Sequence, residues 1–132
     1  MRAAFVRTLL ETAEADPRVL LLTGDLGYSV LEPFAERFPD RFFNVGVAEQ
    51  NMVGVAAGLA KGGFRPVVYG LSAFVPVRVL EQIKLDVCYE SLPGVFMGDG
   101  AGVGYRKLGA GHQKTEDIPR RTAGPELTLP AP

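Results

Sequence analysis

The 132-residue sequence predicts an α/β fold in three layers, a mostly parallel sheet with helices on both faces. Two observations predict it. Short apolar runs suited to buried strands alternate with helix-spaced stretches along the chain, and a strand, a glycine turn and a small-residue helix follow one another between Arg41 and Gly63.

The elements follow in order. Arg2 to Ala15 has the spacing of an amphipathic helix and is ended by Asp16-Pro17, because proline cannot continue a helix. Val19 to Thr23 is a continuous apolar strand closed by Gly24, and Pro33 opens a short second helix. Phe42, Phe43 and Val45 suit a buried strand, Gly46 permits a tight turn, and Ala48 to Lys61 forms a helix with Met52, Val55, Ala56 and Leu59 at helical spacing. A strand at Pro66 to Tyr69, a helix at about Val75 to Glu90 and a strand at Gly94 to Met97 continue the alternation. From Gly98 to Gly111 six of fourteen residues are glycine, too flexible for a core element, so a loop at the strand ends is expected. Glu126 to Pro132 reads as one more strand with no helix after it, so the domain is expected to be truncated at its C-terminus. Few helices remain to cover both faces of the sheet, and a partner surface is expected.

Composition sets outer limits. The length suits one compact domain, and 47% hydrophobic content argues against disorder. Fourteen basic and fifteen acidic residues leave a net charge of −1, and no run of Lys or Arg follows a phosphate backbone, which argues against nucleic acid as a partner. Cys88, the only cysteine, falls in an apolar helical pattern and is expected to be a buried, inert thiol. No apolar run approaches the roughly 20 residues of a membrane-spanning helix. The N-terminal stretch is an amphipathic helix with acidic residues rather than a signal sequence, so a cytoplasmic location without membrane contact is expected.

Glu49 is the residue to which the pattern points first. A carboxylate on the first turn of a helix lies beside unpaired backbone N–H groups and at the positive end of the helix dipole, here at the carboxyl edge of a parallel sheet where ligand sites gather. The competing reading is that Glu49 only complements the dipole.

Four segments in order widen the view: LLTGDLGY at Leu21 to Tyr28, FFNVGVAEQNMVGVAAGLA at Phe42 to Ala60, GLSAFVPVRVLEQIKLDV at Gly70 to Val87 and GAGHQKTEDI at Gly109 to Ile118. Together they resemble the pyrimidine-binding domain of transketolase-like, thiamine-diphosphate-dependent enzymes over nearly the whole chain. The resemblance implies the thiamine-diphosphate-binding fold and matches Glu49 to the glutamate that contacts N1′ of the cofactor's aminopyrimidine. A carboxyl group bonded to that nitrogen favours the imino tautomer of the neighbouring amino group, which can then take the proton from the thiazolium carbon. Phe74 matches an aromatic that packs on the pyrimidine ring, and a flat apolar side chain suits that face. Without the resemblance, a phenylalanine near a helix start is more often plain core. Asp25 matches a position near the cofactor or the neighbouring subunit, although Asp after Gly is also an ordinary turn choice. His112, the only histidine, matches an active-site histidine on the substrate side, where an imidazole orients a sugar hydroxyl or moves a proton, with Gln113 assisting. Lys114 and the preceding Tyr105-Arg106-Lys107 depart from the commoner family pattern, which leaves the substrate open.

Gly98-Asp99-Gly100 copies the opening of the family's pyrophosphate and metal motif, yet the only asparagines, Asn44 and Asn51, lie upstream of it. Asp99 is therefore expected in an ordinary glycine loop, with no metal ligand in this chain. The resemblance then implies one component of a split transketolase, inactive alone, in a hetero-oligomer with a diphosphate-binding transketolase subunit that carries Mg²⁺ and the diphosphate of thiamine diphosphate. A homodimer is equally open. The implied reaction moves a two-carbon ketol unit between sugar phosphates. Alternatives are the β component of a 2-oxo acid dehydrogenase, a 1-deoxyxylulose-5-phosphate synthase-like enzyme, and a non-catalytic binding subunit or decayed fragment.

Overall fold

A computed structural model describes residues 2–100, 102 and 105–113. Four strands, β1 (Val19–Thr23), β2 (Phe42–Asn44), β3 (Arg65–Leu71) and β4 (Val95–Asp99), form one parallel sheet in the order β2-β1-β3-β4. The registers Leu21 with Phe42, Leu21 with Val67 and Val67 with Val95 align the four strands. Helices α1 (Arg2–Ala15) and α2 (Glu32–Arg37) cover one face, and α3 (Glu49–Lys61) covers the other together with Val79, Ile83 and Val87, which flank the short α4 (Leu80–Gln82). The expected three-layer α/β architecture is the observed one.

The alternation of side chains along the central strands builds a core on each face. Val19 and Leu21 of β1 and Val67 and Tyr69 of β3 pack with Leu9, Ala13, Leu31 and Phe34, whereas Leu22 and Val68 pack with Met52, Val53, Ala56, Val75, Val79 and Ile83. Each fully buried large side chain contributes roughly 1.5–3 kcal/mol. β1 is buried at all five positions, as its unbroken apolar run predicts.

Three elements differ from the sequence expectation. Phe42 is half-buried and Phe43 and Asn44 are exposed, because β2 lies at the edge of the sheet rather than within it. The helix expected from Val75 begins only at Leu80. Pro76 lacks the N–H that would continue a helix from Val75, and Ser72–Val79 runs as turns. Beyond α4 the chain continues as a π-helix over Ile83–Cys88, with Tyr89 N–H donating to Lys84 O at 3.0 Å. Finally, β4 extends to Asp99, which is buried at the strand end and not in a loop. Cys88 is buried, as expected. The strand expected at 126–132 and the motif positions from Lys114 onward lie outside the described residues. No helix among the described residues is long and apolar enough to cross a membrane.

The sheet is doubly wound. From β1 the chain moves outward to β2 on one side, then returns across β1 to β3 and β4 on the other. The carboxyl ends of β1 and β3 therefore flank the switch point, where such sheets open a crevice for ligands.

Candidate cofactor site

Glu49 reaches this crevice through the turn after β2. Val45 N–H bonds Thr23 O at 2.9 Å, Gly46 takes φ +75°, and Ala48 N–H closes on Gly46 O at 2.8 Å before Glu49 starts α3. A side chain is not tolerated freely across from this turn: a Cβ on Gly24 would stand 3.2 Å from Gly46 O and 3.8 Å from the Glu49 Cγ. The β1 and β2 loops thus close around the carboxylate, and Glu49 is 3% exposed.

Its partner is Arg78. Arg78 Nη1 donates to Glu49 Oε2 at 2.9 Å, with the arginine side chain 45% exposed and the carboxylate buried. The same guanidinium lies over the Phe74 ring, Cζ 4.2 Å from the centroid, a cation–π contact one turn apart along the chain. Phe74 in turn meets the His112 ring edge-on at a centroid separation of 5.4 Å. Glu49, Arg78, Phe74 and His112 therefore form one contiguous group drawn from three separate segments.

Glu49 Oε1 is buried and accepts no hydrogen bond from any described residue. Buried polar atoms are nearly always paired, and leaving one side of a carboxylate unmet is costly. A ligand that offers a proton to a carboxylate, with a flat apolar surface for Phe74, fits this arrangement.

Asp25 stands apart from that group. It takes φ +59° at the end of β1, accepts from Tyr28 Oη at 2.6 Å and from Asn44 Nδ2 at 3.1 Å, and donates its backbone N–H to Asn44 Oδ1 at 3.0 Å. The Tyr28 and Asn44 hydrogen bonds hold its carboxyl below the usual range. Gln113 follows His112, half-buried, its N–H bonded to Ala110 O at 3.2 Å. Arg78 is the residue the sequence reading missed. Its signal was present: an arginine four positions after Phe74, at the spacing that stacks side chains on one face of a turn. The apolar cavity of about 350 Å³ lined by Phe5, Leu9, Val67 and Val95 includes the first residues of β1, β3 and β4, so it belongs to the opposite edge of the sheet.

Fold and site together define a domain that presents one buried carboxylate at the switch point of a doubly wound sheet. Residues 1–132 match the family described as transketolase, pyrimidine binding domain, and the chain belongs to that family of thiamine-diphosphate-dependent enzymes. It is 44% identical over 129 residues to 1-deoxy-D-xylulose-5-phosphate synthase of Desulforudis audaxviator, covering 97% of this chain and 20% of that protein. To an apulose-4-phosphate transketolase component of Phocaeicola vulgatus it is 39% identical over 132 residues, covering 98% of this chain and 42% of the relative. A solved structure described as a split gene transketolase, inactive beta4 tetramer, superposes with a TM-score of 0.72 and 38% identity over 85% of this chain and 36% of that one. The chain thus spans less than half the length of these relatives.

Proposed function

We propose that this chain is the pyrimidine-binding component of a split, thiamine-diphosphate-dependent transketolase that transfers a two-carbon ketol unit between sugar phosphates. The observation that carries the reading is the buried Oε1 of Glu49, left without a protein partner among the described residues at the switch point while Arg78 holds Oε2. When bound, thiamine diphosphate supplies the acidic thiazolium carbon and the electron sink that ketol transfer needs. Glu49 would hold the proton at N1′ of the aminopyrimidine, and Arg78 would fix the carboxylate for that task. Phe74 would cover the flat face of the ring. His112, in edge contact with Phe74, would orient a sugar hydroxyl or move a proton, with Gln113 beside it. Asp25 would face the cofactor's surroundings or the neighbouring subunit.

Magnesium and the diphosphate fall to a partner chain on this reading. Asp99, the acidic residue of the Gly98-Asp99-Gly100 segment, has its carboxylate engaged by Arg2, Tyr69 and Tyr105, which supports assigning them elsewhere. Exposed apolar side chains support a partner: Val47, 74% exposed and two residues from Glu49, with Val55 on α3 and Leu85 and Tyr89 beyond α4. A hetero-oligomer with a diphosphate-binding subunit is the assembly proposed.

A second reading, a 1-deoxyxylulose-5-phosphate synthase-like component acting on pyruvate, draws on the 44% identity to such a synthase. One assay separates the two. The chain is mixed with a diphosphate-binding subunit, thiamine diphosphate and Mg²⁺, and supplied with either a ketose phosphate or pyruvate as donor to an aldehyde acceptor. Turnover of the ketose phosphate, absent with either subunit alone and lowered about 10²–10⁴-fold by Glu49→Gln, is expected. Turnover of pyruvate alone supports the second reading, and no turnover of either contradicts both.

A further inference from the structure

We propose that Gly98-Asp99-Gly100 is a clasp that positions the His112 loop against Phe74, a role distinct from metal binding and resting on the reading that these two rings line the cofactor site. Each of the three residues holds a different part.

Gly98 lets β4 lie directly on the turn that carries Phe74. A Cβ there would stand 2.7 Å from Val75 O and 3.0 Å from the Ser72 Cα, both backbone atoms that cannot swing aside. Ser72 N–H also donates to Asp99 O at 2.7 Å, so strand and turn are joined on either side of Phe74.

Asp99 gathers the loop. Its carboxylate is buried, and Oδ2 accepts from Arg2 Nε at 2.8 Å, from Tyr69 Oη at 3.1 Å and from Tyr105 Oη at 3.2 Å. Arg2 Nη2 closes the ring by donating to Tyr105 Oη. Burial and the Asp99 charge push both phenols up, so they remain protonated donors at neutral pH. A single carboxylate oxygen thereby ties the start of α1, the middle of the sheet and the loop side chain Tyr105 together.

Gly100 completes the clasp. It takes φ +70°, and a Cβ on it would overlap the Tyr105 ring, so the ring packs where only glycine leaves room. From Tyr105 two 3₁₀ turns, Arg106–Leu108 and Ala110–His112, lead to the imidazole. Fixing Tyr105 fixes the start of a path of eight residues whose end, His112, meets Phe74. Asp99 and Tyr105 are positioning residues on this account, acting on the site through His112.

His112 is the only histidine, so its ring carbon protons give an isolated pair of NMR signals in the full chain without any cofactor. In the unaltered protein these signals are expected to be displaced by the Phe74 ring, and Phe74→Leu should remove the displacement. Tyr105→Phe, which deletes one hydroxyl, and Gly100→Ala should each move the signals toward the Phe74→Leu position while circular dichroism shows the fold kept. Asp99→Asn should do the same, and if it fails to fold, Tyr105→Phe decides. Signals that stay in place in Tyr105→Phe and Gly100→Ala, or that ignore Phe74→Leu, overturn the clasp. Because the readout needs neither cofactor nor substrate, a reconstituted enzyme without ketol transfer but with these shifts intact counts against the functional reading and not against the clasp.

Discussion

Glu49 places a charge where the fold meets only one of its two oxygens, and Arg78 supplies that one contact from a half-exposed position. The two partners are therefore unequal in what their loss does. Arg78→Ala strands a buried carboxylate and is expected to destabilise the chain by about 1–3 kcal/mol. Glu49→Gln removes the buried charge and frees a half-exposed arginine to water, so stability should stay level or rise, as happens where a site holds a group for function rather than for folding. Urea unfolding of the two variants checks this. A loss in Glu49→Gln as large as in Arg78→Ala would make Glu49 a structural complement to the α3 dipole, the competing reading of the sequence. Glu49 was legible because a strand, a glycine turn and a helix start leave few other places for a carboxylate to go. Arg78 was legible only as a neighbour of Phe74 four positions earlier; its contact with Glu49 was not, since that depends on how the Ser72–Val79 turns fold, and periodicity is silent about turns.

At the level of elements, apolar runs revealed the strands but not their positions within the sheet. Phe42 and Phe43 read as buried, and the edge place of β2 leaves Phe42 half-buried and Phe43 exposed, because edge and centre differ in pairing and not in composition. Asp99 reads as a loop residue on the strength of neighbouring glycines. Those glycines serve close packing instead, and β4 runs through Gly98. A joint at the opposite edge of the sheet carries a pH prediction. Asp16, ending α1, accepts from Arg18 Nη2 at 2.8 Å and from the Arg18 backbone N–H at 2.9 Å, and pairs with Arg65 Nε of β3 at 3.2 Å. The Arg18 hydrogen bonds, side chain first and then backbone, hold its carboxyl down to about 2, against an ordinary value of 3.8. A pKa lowered in the folded state gives stability that is present above the unfolded value and lost as pH falls toward the folded one. The unaltered chain should therefore exceed Asp16→Asn in stability at pH 5, with the gap narrowing as pH falls from about 4 toward about 2. A gap in urea midpoints that does not change with pH would contradict it.

For the molecule as a whole, the order β2-β1-β3-β4 matters more than any single element, because it sets the switch point where Glu49, Phe74 and His112 can converge from three segments. The alternation of strands and helices made the layers legible, and the ordered motifs made the family legible. The convergence was implied only through the family, since sequence spacing alone does not say which loops meet. The site is also one-sided: it offers a carboxylate, an aromatic face and an imidazole, while exposed Val47 and the 86%-exposed Tyr89 present the apolar surface on which the proposed partner would dock. The most direct test is calorimetric titration of thiamine diphosphate with Mg²⁺ into the chain alone, into its mixture with a diphosphate-binding subunit, and into the same mixture carrying Glu49→Gln. Binding in the mixture, absent in the chain alone and weakened by Glu49→Gln, is the predicted result; equal heats with and without the Glu49 carboxylate, or no binding in the mixture, would contradict the account.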